Sequence, residues 1–265
     1  MNILSRYRAV FRIHEIDNDT TLQWLSGALL LGFHFTFSSW TYSEQTTVKA
    51  VKDGTYACWP FLHECKSLIF LSTLPEGYSQ PTLYMGLFGL MLGAVYAMYL
   101  KRWDFVHLSI FVLLLFKIYF MAINYQLKPN YHYLHSALCV VYVLGTCKRL
   151  FLQLTLVSFY SIYLISWAAP KTYPSWSLST GANSSLTIVI VLMAILVPWL
   201  LFSPNRIVQR LVLLAFALLH FYAGILGGYG LPVIAFPALL ILFGPWYKGL
   251  LQLPFTGRVF SGWAS

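Results

Sequence analysis

Lys171 is the residue whose type and setting first suggest chemistry in this sequence. It follows an apolar run and Pro170, and Trp176 comes five residues after it. A lysine amine accepts a proton only in its neutral form, which is favoured in an apolar pocket away from water. Pro170 is expected to end the preceding helix, and Tyr173 and Trp176 could line the pocket. A general base is one interpretation of Lys171; the other is an interfacial lysine beside an anchoring tryptophan.

Other polar side chains fall towards the outer ends of the apolar segments, at a depth similar to that of Lys171. They are His34, Asn124, Asn130, His132, His135 and His220. Imidazole and amide groups at one depth could orient a hydroxyl or an oxyanion. We therefore predict one polar cavity that opens outward. The alternative is that each histidine is an interfacial or core residue hydrogen-bonded to the backbone.

Lys117 stands about twelve residues into a long apolar segment, roughly 18 Å from the inner end of that segment. A lysine at this depth in hydrocarbon is costly and by default marks a functional site. Asn124 lies seven residues later, two turns along the same helical face. Lys117 is thus a candidate substrate-binding residue; the alternative is a structural lysine bonded to backbone carbonyls of a broken helix.

The composition indicates a polytopic membrane protein. Of the 265 residues, 58% are hydrophobic and 9% are charged, whereas soluble domains average about 25% charged. So few charges cannot coat a water-exposed surface. The net charge of +9 would suggest nucleic acid in a soluble protein. Here the basic residues lie mostly between apolar segments, so the expected partners are the lipid bilayer and a membrane protein, with no nucleic acid.

Eight apolar segments predict an all-α transmembrane bundle. The predicted spans are 22–40, 81–100, 105–125, 131–147, 150–169, 184–203, 207–226 and 231–247. With the N-terminus inside, eleven of the seventeen Lys and Arg residues fall in inner segments and five in outer ones. Because basic residues concentrate on the cytoplasmic side, both termini are predicted to be cytoplasmic.

The bundle is the main unit of the predicted domain organisation. Residues 1–20 have Leu4, Tyr7 and Phe11 at helical spacing among arginines, which predicts a cytoplasmic amphipathic helix or, alternatively, a frayed basic tail. A transmembrane domain follows over 21–247, and a short cytoplasmic tail over 248–265.

An outer loop over 41–80 contains two of the four cysteines, Cys58 and Cys65. A non-cytoplasmic compartment permits disulfides. With His63 the loop has three candidate metal ligands and lacks a fourth. A local disulfide is therefore predicted here rather than a metal site.

Three segments resemble, in chain order, elements of the HTTM family, the transmembrane part of vitamin K-dependent gamma-carboxylases and their bacterial relatives. The first is Pro170-Lys171-Thr-Tyr-Pro-Ser-Trp176, which keeps the family's spacing from lysine to tryptophan. The second is Asn130-Tyr-His-Tyr133-Leu134, in which the histidine stands one position later than in the family. The third is Leu219-His220-Phe221 with a glycine-rich turn and Pro232, one residue short of the family's spacing.

The resemblance implies quinol-linked, carboxylase-like chemistry at an outward-facing site. Lys171 is implied to be the base acting on reduced vitamin K or another quinol, after which a carbanion is trapped by carbon dioxide. Asn130, His132 and His220 are the other implied catalytic residues. The substrate-binding set is Trp176, Tyr173, Tyr133, Lys117, Asn124 and His34, with no metal.

Two main functions remain open from the sequence, beside a transporter, which Lys117 and the proline-interrupted spans suit but which the absence of a visible internal repeat does not favour. The first is the enzyme just described, in a bacterial inner membrane rather than the eukaryotic endoplasmic reticulum, with its site on the periplasmic (or lumenal) side. The second is a non-catalytic membrane subunit that docks a partner protein or a lipid. The carboxylases have a large lumenal region after their spans, whereas eighteen residues follow the last predicted span here, which favours a small substrate or the second function.

The base hypothesis predicts that neither Lys171→Ala nor Lys171→Arg supports activity. Arginine keeps the charge but cannot be deprotonated in a protein, so both variants should lose at least about 100-fold in quinol-dependent turnover. The measurement is quinol consumption by membranes containing equal amounts of each variant. Full activity of Lys171→Arg would exclude the base role.

Overall fold

The computed structural model describes residues 2–42, 79–123, 130–172, 181–225 and 230–244. All regular structure in these ranges is helical, as predicted from the sequence. Two short helices, α1 (Ile3–Val10) and α2 (Ile13–Asn18), come first. The longer helices are α3 (Thr20–Tyr42), α4 (Ser79–Tyr99), α5 (Trp103–Ile123), α6 (Asn130–Leu144), α7 (Lys148–Thr172), α8 (Gly181–Trp199), α9 (Arg206–Ile225) and α10 (Gly230–Phe243), with a 3-10 helix, Leu200–Phe202, after α8.

Each of the helices α3 to α10 overlaps one predicted apolar segment, and α7 shows the main departure. We predicted that Pro170 ends this helix, but α7 continues through Pro170 and Lys171 to Thr172. That prediction is wrong because a proline in the last turn removes one backbone hydrogen bond without stopping the residues after it from adopting helical angles. The connection predicted at 170–183 is shorter for the same reason, and because α8 begins at Gly181.

One helix among the described residues is long and apolar enough by itself to cross a bilayer. It is α5, whose stretch Trp103–Ala122 has 20 residues and a mean hydropathy of 2.1. Four other helices carry shorter apolar stretches, over Tyr84–Tyr99, Tyr131–Leu144, Val191–Phe202 and Pro232–Phe243.

Helix α3 is the centre of the packing, since it contacts α2, α4, α5, α6 and α10. Its buried side chains recur every three or four residues, as expected for one face of a helix. They are Leu22, Leu25, Leu29, Phe33 and Phe37. Ser26 and Thr36 are buried on the same helix, so α3 also offers hydroxyl groups to its neighbours.

Helix α5 turns a similar stripe inward, and Lys117 is part of it. The buried positions are Val106, Ile110, Leu113, Lys117 and Phe120, which repeat at intervals of four and three residues. Lys117 therefore occupies a core position, where an apolar side chain is the usual residue. Its side chain is fully buried, so the charge-bearing end does not reach the surface.

Helix α9 carries an apolar stripe on its outward side. The exposed side chains are Ile207, Leu211, Leu214, Leu218, Phe221, Tyr222 and Ile225. They run the whole length of the helix with the same spacing of three and four residues. A continuous apolar surface of this kind is found where a protein meets lipid or another protein.

The N-terminal segment docks on α5 through a buried histidine. His107 Nε2 lies 3.2 Å from the carbonyl oxygen of Val143; because a carbonyl can only accept, Nε2 carries the hydrogen. Nδ1 is then the acceptor for the hydroxyl of Tyr7, 2.6 Å away. Phe11 packs against the same imidazole with a ring-centroid distance of 5.1 Å. The segment predicted as an amphipathic helix is thus helical and attached to the bundle.

The charge state of Tyr7 keeps this contact intact. Partial burial, and then the nearby negative charge of Asp104, raise the pKa of Tyr7 to about 12. The phenol therefore stays protonated and remains a donor to His107 throughout the physiological pH range.

Tyr7→Phe should loosen the docking of α1. The change leaves the Nδ1 acceptor of His107 without its donor at an expected cost of about 0.5–1.5 kcal/mol. Hydrogen exchange of the α1 and α2 amides, measured by mass spectrometry, should accelerate by roughly twofold to tenfold. Tyr99→Phe is the matched control, since Tyr99 is 83% exposed. Equal exchange in the two variants would mean that Phe11, and not the hydrogen bond, holds the segment.

Candidate functional site

The most unusual contact in the interior joins Lys117 of α5 to His135 of α6. The Nζ atom of Lys117 lies 2.6 Å from Nδ1 of His135. On the other side of the ring, Nε2 lies 2.9 Å from the carbonyl oxygen of Leu29 in α3. Because that carbonyl can only accept, Nε2 carries the ring hydrogen and Nδ1 accepts a hydrogen bond from the lysine. One imidazole therefore connects three helices.

Close packing holds this imidazole in place. A Cβ atom on Gly32 would lie 2.5 Å from Nε2 of His135 and 2.6 Å from Cδ2, so α3 approaches the ring at its glycine. Phe33 meets the ring edge-on at a centroid distance of 4.6 Å. The same phenyl ring lies 5.9 Å from Nζ of Lys117, within the range of a cation–π contact.

Two further groups on α6 belong to the same cluster. His132, one turn before His135, has its Nδ1 3.4 Å from the hydroxyl of Thr36. Cys139, one turn after His135, has its sulfur 3.8 Å from Nε2 of that ring. We define the Lys117 cluster as Lys117, His132, His135, Cys139 and Thr36. No group of three or more His, Cys, Asp or Glu side chains in the described ranges is arranged to hold a metal ion.

His220 and His34, which we predicted to share one cavity with this cluster, bond to other helices. His220 Nδ1 donates to the carbonyl oxygen of Phe216 at 2.6 Å, and Nε2 accepts from the hydroxyl of Tyr160 at 2.9 Å. His34 Nδ1 lies 3.4 Å from the hydroxyl of Tyr84. The described histidines of the predicted cavity thus form three hydrogen-bonded groups. The reason is that each ring finds a partner on a neighbouring helix.

Several predicted site residues lie wholly or partly outside the described residues. Asn124, Tyr173, Trp176, Cys58 and Cys65 lie outside entirely, and for Asn130 and Lys171 the helix is described but the side chain is not. Tyr133 is exposed on α6. Their predicted roles, and the disulfide, stay predictions.

The connection between α6 and α7 shows at which end of these helices Lys171 and Asn130 lie. Helices α6 and α7 pack on each other and are joined by residues 145–147. Two packed helices with so short a link are antiparallel. Asn130, at the start of α6, and Lys171, near the end of α7, are therefore at the same end of this helical hairpin.

Two cavities lie at the other end of the bundle. The larger, of about 530 Å³, is between α2, the start of α3 and the start of α7. The smaller, of about 280 Å³, is bordered by Gln23, Trp24 and Trp103. Neither was predicted, because their walls come from segments far apart in the chain.

Comparison of the chain with known protein families, with curated protein sequences and with solved structures found no match. Its function is accordingly inferred from the sequence motifs and from the Lys117 cluster.

Gly32→Ala should destabilise the protein through the Lys117 cluster. The new methyl group would force His135 away from Leu29 or Lys117, at a cost of about 1–3 kcal/mol. The measurement is the apparent midpoint of thermal unfolding in detergent. Gly89→Ala is the matched control, because Gly89 is also helical and a methyl group there would have no atom within 4 Å.

A double substitution separates packing from any general effect of alanine. Combined with His135→Ala, the Gly32→Ala change should lose most of its cost, since the clashing ring is gone. An undiminished cost in that background would show that the ring is not the obstacle.

Proposed function

We propose that this chain is an integral membrane protein in which α3 to α10 form one bundle within the bilayer. The exposed apolar stripe of α9 and the bias of basic residues towards one side support this. Helices α6 and α10, with 15 and 14 residues, span roughly 21–22 Å of a ~30 Å hydrocarbon core. They pack among α3, α7 and α9, where backbone beyond their ends can be satisfied by protein.

The function that the geometry supports best is quinol-linked, carboxylase-like chemistry at the end of the bundle where α6 begins. The observation that carries this proposal is the fully buried Lys117, bonded to His135 and forming no salt bridge within the described ranges. An amine kept at this depth without a carboxylate partner is costly in hydrocarbon and by default marks a functional site. An apolar side chain would fill the same core position at a lower cost in free energy.

The side chains of this region are of the types that bind a quinol. Phe33, Phe37 and Phe120 are buried beside the cluster and offer aromatic faces, while imidazole and amine groups can bond the ring oxygens. A reduced quinone supplies, when bound, a hydroxyl whose ionisation begins the chemistry. In our proposal Lys171 Nζ takes that proton, and Lys117 fixes the neutral tautomer of His135 by donating to Nδ1.

The remaining assignments follow the sequence motifs. Asn130 and His132 orient the reacting groups, and Tyr133, Tyr173, Trp176 and Asn124 contact the substrate. His220 and His34, which bond to Tyr160 and Tyr84, support the helices around the site. The site faces the periplasm or lumen, since the segments that carry most of the basic residues are at the other end.

A second function is favoured by one observation. The stripe along α9, from Ile207 to Ile225, is broad enough to dock another membrane helix. A non-catalytic subunit that binds a partner protein or lipid through α9 would leave the Lys117 cluster as a purely structural bond between α3, α5 and α6.

Lipid extraction and mass spectrometry of the purified protein test the first function. The wild type should carry about one quinone per chain. Lys117→Met, which keeps the length of the side chain but removes its donor, should lower the bound quinone at least about tenfold. Lys101→Met is the matched control, since Lys101 is an exposed lysine outside the bundle.

The outcome also distinguishes the two functions. The subunit function would be supported, and the quinol site excluded, by two results together. The wild type would carry no quinone, and it would bind a stoichiometric membrane partner that polar substitutions along α9 release.

A further inference from the structure

The larger cavity, of about 530 Å³, plays no part in the proposed chemistry. It lies at the end of the bundle opposite the Lys117 cluster, and we call it the α2–α7 cavity. Its lining residues are Glu15, Asn18, Asp19, Leu22, Cys147, Lys148, Arg149, Leu150 and Gln153. Its volume falls within the ~300–1,000 Å³ typical of small-molecule sites.

The two walls of the α2–α7 cavity carry opposite charges. Glu15 and Asp19 lie on the side of α2, and Lys148 and Arg149 lie at the start of α7. Two carboxylates and the Arg149 guanidinium therefore border a common space, whereas the Lys148 ammonium is turned to the backbone carbonyls of Tyr142 and Val143. Such an arrangement matches a ligand that carries both charges, because an anion alone would meet two carboxylates.

Hydrogen bonds fix these walls before any ligand arrives. The backbone N–H of Lys148 donates to Oε2 of Glu15 at 3.3 Å, and its Nζ donates to the carbonyl oxygen of Tyr142 at 2.7 Å. Asp19 Oδ1 accepts from the backbone N–H of Thr21 at 2.8 Å. Arg12 Nη1 lies 3.4 Å from Oε1 of Glu15, and the Arg149 guanidinium is charged at every physiological pH.

The apolar part of the lining fits a lipid. Leu150 is half exposed next to Arg149, and Leu22 is buried deeper. On the topology proposed above, this end of the bundle faces the cytoplasmic interface, where phospholipid headgroups are found.

We propose that the α2–α7 cavity binds the phosphoethanolamine headgroup of a zwitterionic phospholipid. Arg149 donates to the phosphate oxygens, which suit a guanidinium fork. Glu15 and Asp19 accept from the primary ammonium, and the glycerol end lies over Leu150. A choline headgroup fits less well, because its quaternary ammonium has no N–H to donate to the carboxylates.

The proposal rests on the membrane location proposed above and not on the quinol chemistry. The test titrates the delipidated full chain in detergent and reads lipid-bound species by native mass spectrometry. The probes are phosphatidylethanolamine, phosphatidylcholine and phosphatidylglycerol of the same acyl chains, soluble phosphoethanolamine and inorganic phosphate. One phosphatidylethanolamine should bind at least about tenfold more tightly than the other two lipids.

Two variants locate the binding. Arg149→Gln and Asp19→Asn should each weaken phosphatidylethanolamine binding about tenfold; asparagine can still accept the Thr21 hydrogen bond, so the start of α3 is kept. Arg210→Gln is the control, because Arg210 is exposed on α9 away from the cavity lining. Elution of each variant as one monodisperse species confirms its fold.

The probes also identify the source of the ligand. If soluble phosphoethanolamine competes with an affinity equal to that of phosphatidylethanolamine, the headgroup chemistry is supported and the ligand is a free metabolite. If it competes more weakly, the ligand is the lipid. Equal binding of all three lipids, equal loss in Arg149→Gln and Arg210→Gln, or an equal effect of inorganic phosphate would overturn the proposal. Quinone content is measured separately, so failure of the lipid test does not decide whether the proposed quinol chemistry is correct. Release of the chain from membranes by alkaline carbonate would reject both the lipid site and the proposed membrane location.

Discussion

A buried imidazole ring is satisfied only when one neighbour accepts a hydrogen bond from it and another donates one. Among the described residues this requirement is met three times in the same way, with a backbone carbonyl as acceptor and a lysine or tyrosine as donor. The groups are Leu29–His135–Lys117, Val143–His107–Tyr7 and Phe216–His220–Tyr160. Each contact fixes both the tautomer of a ring and the rotation of the helices that meet at it.

This constraint carries more weight in a bundle of apolar helices than in an ordinary protein core. In the membrane location proposed above, apolar side chains pack about as well against lipid tails as against other helices, so they discriminate weakly between arrangements. A polar group that loses its partner in such surroundings incurs the whole desolvation cost. The register of α5 against α6, and of α7 against α9, therefore depends on a few hydrogen bonds set among many interchangeable apolar contacts.

The sequence predicted the helices well because long apolar runs bounded by polar residues determine where a helix can be buried. It also singled out Lys117, since a lysine inside such a run is conspicuous. It could not predict the partner, because His135 is eighteen positions away on another helix and no local spacing connects the two. The pairing of His220 with Tyr160, sixty positions apart, was hidden for the same reason. The extension of α7 past Pro170 shows a different limit: a proline near a helix end is a weak stop signal. The roles of Lys171, Trp176 and the cysteines of the 41–80 loop rest on the sequence alone.

The near-contact between Gly32 and His135 has a consequence for how this sequence can diverge. As long as an imidazole stands at 135 between Lys117 and Leu29, position 32 has no space for a side chain. Once the ring is replaced by a small residue, a larger one at 32 becomes favourable because it fills the vacated volume. The free-energy effects of substitutions at these two positions are thus coupled: a side chain at 32 is accommodated without this cost only when the histidine, and the lysine contact that goes with it, is absent.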